Sequence, residues 1–212
     1  MSTWHYAFLF PASEEQLDPA GVVASLAKSG YELNSTGRVL VPVDDKGHLG
    51  EYGDEVTFKE PFTEDLQTRL QFGEQLFAEF SKFDSDTDIV TTFACSFAVK
   101  TVNPHISVGW HKRLFSQLPT EIQHDRWMAI RDAAKSSNSA YVVLAVEASD
   151  SFEDRFLEVD GKRILDTESH HQYGHGIWAV WVDHTHDSEC PVGVIDKVAA
   201  DIGSGFVQYD VA

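Results

Sequence analysis

The chain reads as an α+β domain of 212 residues, a mostly antiparallel or mixed β-sheet with about four helices packed on it. Three observations carry that expectation. Strand-like and helix-like segments interleave without a regular β-α-β rhythm, which argues against a parallel sheet. At least two pairs of strand-like runs are separated by short turn sequences, as in antiparallel hairpins. Several helical stretches have a single apolar stripe, the pattern of a helix lying on a sheet. There is no internal repeat, low-complexity segment or linker, so residues 1–212 read as one globular domain, with the weakest seam near 103–120.

Trp4 to Phe10 is an opening strand that ends at Pro11. Asp18-Pro19 starts a helix, with Asp as N-cap and Pro at the first helical position; Val22, Val23, Leu26 and Ala27 form its apolar face and Gly30 closes it. A strand is expected at Arg38 to Val43, followed by a glycine-containing loop from Asp44 to Asp54. Thr63 to Phe83 reads as the longest helix. Thr63 caps it, Glu64 and Asp65 suit its first turn, and Leu66, Leu70, Gly73, Phe77 and Phe80 follow an i, i+4, i+7 stripe. Asp84 to Asp88 is then an acidic turn. Ile89 to Thr101 and His105 to His111 alternate as two strands of a hairpin, with Phe93, Cys95 and Phe97 on one face and Ile106, Val108 and Trp110 on one face.

Thr120 caps the next helix, with Gln123 completing a capping box. Ala140 to Ala148 is an apolar run of strand length and is placed centrally in the sheet. Arg155 to Leu165 forms a hairpin around Asp160-Gly161. Gly176 to Asp183 is a strand apolar on both faces, which places it inside a sheet covered on both sides. A short helix from Pro191 to about Ile202 and a strand from Phe206 to Val211 complete the chain.

Charge is the strongest global signal. Sixteen basic residues against 34 acidic ones leave a formal charge of −18. A field of that sign repels phosphates, so binding to nucleic acid or to an anionic membrane is not expected. It accelerates association with a basic partner and makes that association salt-sensitive. Two cysteines, Cys95 and Cys190, make no disulfide framework, and no apolar run reaches the roughly 20 residues needed to cross a bilayer. The expectation is a reduced, cytoplasmic protein.

Chemistry-bearing residues crowd in one stretch. Ile164 to Asp187 holds five of the ten histidines: His170, His171, His175, His184 and His186. His184-Thr185-His186 at a strand end could place two imidazoles near one metal. The spacing resembles that of metallo-β-lactamase-like hydrolases, whose pair continues as His-x-His-x-Asp-His; here the acid follows directly and no third histidine comes after it. His105-Ile106-Ser107-Val108 resembles one half of the motif of 2H phosphoesterases, in which two such copies supply an acid and a base, but no second copy is present. Nucleophile elbows, phosphate-binding loops, dinucleotide fingerprints and Cys-x-x-Cys pairs are all absent from the sequence. No cofactor is therefore expected, with a metal at His184 and His186 as the alternative. Cys95 reads as a small apolar strand residue.

A strongly acidic α+β chain without a catalytic motif resembles, in general character, the immunity proteins that bacteria make against their own secreted toxins. The resemblance implies a non-enzymatic protein that occludes the basic cleft of a cognate toxin. The residues it assigns to partner binding are the loop carboxylates Asp44 and Asp45, Asp84, Asp86 and Asp88, and Asp150, Glu153 and Asp154. The alternative is a hydrolase, metal-dependent through the histidine-rich stretch or metal-free through His105.

Overall fold

Ten strands pair in one fully antiparallel sheet, and the edges of that sheet lie far from the chain's first strand. In the computed structural model the described residues are 4–12, 16–40, 54–58, 67–70, 74–100, 104–111, 115–146, 156–159, 162–165, 177–185 and 199–210; for 156–159 and 162–165 the description is limited to the backbone. The elements are β1 (Trp4–Pro11), α1 (Pro19–Lys28), β2 (Glu32–Leu40), β3 (Asp54–Thr57), β4 (Gln75–Asp84), β5 (Ile89–Ala98) and β6 (His105–His111). They continue as α2 (Thr120–Ser136), β7 (Ser139–Val146), β8 (Phe156–Val159), β9 (Lys162–Leu165), β10 (Ile177–Asp183), β11 (Ala199–Gly203) and β12 (Phe206–Asp210). The sheet order is β11-β12-β10-β7-β1-β6-β5-β4-β2-β3, and β8 and β9 form a separate hairpin.

The expected antiparallel pairing is present, but the expectation of about four helices is not met. Described helical structure amounts to about three segments: α1, α2 and a turn at 67–70. The stretch read as a helix from Thr63 to Phe83 runs instead as β4 from Gln75 onward. A repeat of four residues fits two strand periods as well as it fits one helical turn, and Leu76, Ala78 and Phe80 complete an inward alternation. Phe77, Phe80 and Phe83 suit a pleated surface, and β4 gains hydrogen-bonded partners on both sides, β2 and β5. The helix expected to end near Ile202 is likewise corrected at its end, where Ala199–Gly203 is an edge strand.

Both helices lie on one face of the sheet. Val22 and Leu26 of α1 and Ile130, Ala133 and Ala134 of α2 pack against Leu9, Phe93, Phe97, Ile106, Val108 and Leu144 to form the main core. The opposite face is buried over β1, β7 and β10, where Phe8, Phe10, Tyr141, Val143, Val180 and Val182 make a second cluster. Thus β10 is covered on both sides, as its all-apolar sequence requires.

Helix ends are satisfied differently from the capping pattern in the sequence. Asp18 is the N-cap residue of α1 but makes no side-chain cap bond; its backbone N–H donates to the Ser137 carbonyl at 2.8 Å. One of the carbonyls left over at the end of α2 is thereby paired by the start of α1. Pro119, not Thr120, is the N-cap of α2, and Gln123 donates through Nε2 to the Leu118 carbonyl at 2.8 Å instead of closing a capping box. Gly21 makes the close crossing possible: a Cβ there would lie 2.0 Å from the Ser136 carbonyl oxygen. Gly21→Ala should therefore lower stability by about 1–3 kcal/mol through overpacking. Chemical denaturation checks this, and an unchanged midpoint would show that the helices can separate freely.

An ion pair ties α2 to the end of β10. Lys135 donates through Nζ to Asp183, whose side chain is nearly inaccessible, and the N–H and hydroxyl of Thr185 donate to the other carboxylate oxygen at 3.0 and 2.8 Å. Burial opposes ionisation of Asp183, but these donors and the Lys135 charge together outweigh it and hold the carboxyl below its ordinary range. A lowered folded-state value gives stability that is fully present above the unfolded carboxyl's pKa of about 3.9 and is lost as pH falls through the folded value. Asp183→Asn should thus melt below wild type at neutral pH, and the gap should close below about pH 4. A gap independent of pH, measured by thermal melts, would contradict this.

Candidate functional site

The open part of the sheet lies opposite the helices, over β2, β4 and β5. On that face Phe77, Glu79, Ser81 and Phe83 of β4 stand across from Ser96, Ala94, Thr92 and Val90 of β5. Strand alternation sends Leu76, Ala78, Phe80, Phe93, Cys95 and Phe97 the other way into the core. The Ser81 and Thr92 hydroxyls hydrogen-bond across the pair at 3.2 Å, and Glu79 accepts from Asn34 Nδ2 at 3.2 Å. Further along the same face is a groove of about 630 Å³ lined by Tyr6, Arg38, Phe77, Glu79, Ser96 and Ser107.

At the outer end of the β4–β5 hairpin, Phe83 and Val90 are 60% and 53% exposed. They are the only large apolar side chains so exposed among the described residues, and they are direct cross-strand partners. Isolated exposed apolar residues are ordinary. A matched pair at a hairpin end is a contiguous patch, and it is rimmed by the acidic turn Asp84 to Asp88.

Within that turn the three predicted carboxylates divide by role. Asp84 Oδ1 accepts from the Asp86 N–H, the Thr87 N–H and the Thr87 hydroxyl, each at 3.1 Å. Desolvation works against its charge, yet those three donors and the Arg126 guanidinium outweigh it and lower its pKa. Asp84 is therefore a structural residue that fixes the loop. Asp88 sits at φ 55, a left-handed conformation that Asp tolerates. Asp86 and Asp88 are exposed.

A buried cation underlies the hairpin. Arg126 of α2 is 2% exposed and donates through Nη1 to the Tyr31 hydroxyl at 3.0 Å, with no carboxylate in ion-pair range among the described residues. Tyr31 stacks on Phe93 with centroids 4.6 Å apart. Burial pushes the Tyr31 phenol up to about 12, against the opposing influence of Arg126. The phenol thus stays protonated and neutral beside the guanidinium.

Neither a family, nor a curated protein, nor a solved structure matches this chain. Asp44, Asp45, Asp150, Glu153 and Asp154, together with His170, His171, His175, His186 and Cys190, lie outside the described residues. His184 is exposed at the end of β10, its N–H donating to the Gly205 carbonyl at 3.2 Å. Among the described residues no three His, Cys, Asp or Glu side chains come together as a metal site. His105 packs beside Phe8 and Phe10, with centroids 6.0 and 6.2 Å away. Cys95 is fully buried, and burial pushes its thiol well above the ordinary range, away from the reactive thiolate. No described helix is long and apolar enough to cross a membrane.

Phe83 and Val90 were not among the residues that sequence reasoning selected. The signal was present as an apolar residue on either side of a five-residue acidic turn, in register across a hairpin. Placing Phe83 at the end of a helix hid it.

Proposed function

We propose that the chain is a non-enzymatic binding protein that captures a basic protein partner with the outer end of the β4–β5 hairpin and the open sheet face behind it. Neutralisation by occlusion, as in toxin-immunity proteins, is the role that fits this surface. The supporting observation is the exposed Phe83–Val90 pair bordered by Asp86 and Asp88 on a turn that Asp84 holds in shape. Binding energy at protein interfaces concentrates in a few apolar or aromatic anchors inside a polar rim. The net charge of −18 supplies long-range attraction to a cationic surface.

The test is a titration against the basic product of the adjacent gene, purified separately. The reading expects saturable binding at low salt that weakens by about tenfold or more as salt is raised well above physiological ionic strength. No binding at either salt would remove it.

A further inference from the structure

On the helix side of the sheet, remote from the hairpin end, a cavity of about 500 Å³ lies between α2 and the strands β10, β12 and β11. Its walls include Trp127, Trp178, Trp181, Arg131, Asp201 and Gln208. We propose that this cavity binds an organic ammonium ion, a methylated or quaternary amine held between indole faces.

A local irregularity builds the aromatic walls. The pairing of β10 with β7 slips between Ile177 and Ala179, leaving Trp178 as the bulged residue. Ile177 faces the second cluster, whereas Trp178, Ala179 and Trp181 all pack on the helix side. Carried back from Trp181 and Ala179, regular alternation would have turned Trp178 to the opposite face. The bulge therefore brings two tryptophans of one strand against Trp127. Each of their rings lies 5.9 Å from the Trp127 ring, at interplanar angles of 77° and 67°. Indoles set nearly at right angles form the corner of a box, the arrangement in which ring faces surround a cation.

Hydrogen bonds fix Trp181, Gln208 and Arg131 in the walls, whereas Trp178 Nε1 is buried without a hydrogen-bond partner. Trp181 Nε1 donates to Gln208 Oε1 at 2.9 Å, and Gln208 Nε2 donates to Asp210 at 2.8 Å. Arg131 is equally committed: Nη1 donates to the Ile202 carbonyl at 2.8 Å, while Nε and Nη2 donate to Asp132 at 3.2 and 3.0 Å. The guanidinium charge is thus matched by Asp132. Asp201 is exposed and accepts only the Gly203 N–H, at 2.8 Å, with no cation in ion-pair range among the described residues. One unmatched carboxylate beside three indole side chains, in a molecule of charge −18, selects a monocation with an apolar surface and disfavours phosphates and carboxylates.

Tryptophan fluorescence of the whole chain, titrated with choline and with its neutral carbon isostere 3,3-dimethylbutan-1-ol at matched ionic strength, tests this. Choline should give a saturable change and bind about tenfold or more tighter than the isostere. Trp178→Leu should abolish the response, and Asp201→Asn should weaken choline binding about threefold or more without changing isostere binding. Asp201 is an exposed strand residue, so this second variant keeps the test decisive if Trp178→Leu does not fold. Equal affinity for choline and the isostere, absence of saturation with choline, or choline binding unaffected by Asp201→Asn would each overturn the proposal.

Discussion

Replacing Phe93 by alanine should remove about 3–5 kcal/mol of stability, the usual cost of deleting a fully enclosed aromatic side chain. Phe93 is inaccessible to solvent, lies in the middle of β5 and stacks on Tyr31, the ring whose hydroxyl accepts from the buried Arg126. The lost ring leaves a cavity beneath both helices and loosens the only described hydrogen-bond partner of a buried charge. For a chain of this size that corresponds to a fall in Tm of about 10 °C. A melt within a degree or two of wild type would show that the helix face is not packed as described. Phe83→Ser, ten residues earlier on the open face, should by contrast leave the melting temperature nearly unchanged, because the ring already meets solvent.

The same substitution should have its effect on binding. Phe83→Ser combined with Val90→Ser should weaken capture of the basic partner by about 30-fold or more, the roughly 2 kcal/mol that marks an interface anchor. Asp86→Lys with Asp88→Lys should act differently. Reversing two rim charges lowers the association rate and flattens the salt dependence, with a smaller effect on dissociation. Surface plasmon resonance separates the two behaviours. If both double variants bind with wild-type rates, the partner docks elsewhere.

Some of this architecture was legible because local signals had no competitor. Asp18-Pro19 and Gly30 bracket α1, and Gly30 indeed takes φ +84. The alternation from Ile89 onward set the β5–β6 hairpin in its observed faces, with Phe93, Cys95 and Phe97 inward. Ile177 to Val182, apolar on both sides, does lie between two clusters. By contrast, β4 was misread because spacing of four suits a strand and a helix equally, and only its pairing with β2 and β5 decides between them. The candidate site was half legible for the same reason. The acidic turn follows from Asp84 to Asp88 alone, but the Phe83–Val90 pair exists only once the two strands are in register. The indole box was not legible at all. It depends on a one-residue slip in β10 and on Trp127, about 50 residues earlier in the chain, which no local pattern announces.

Hydrogen–deuterium exchange on the chain with and without the purified basic partner addresses the proposed docking surface most directly. Protection should concentrate in the turn 84–88 and the flanking ends of β4 and β5, with α1 and α2 exchanging as in the free protein. Protection confined to the helix side, with the hairpin end unchanged in a saturated complex, would contradict it.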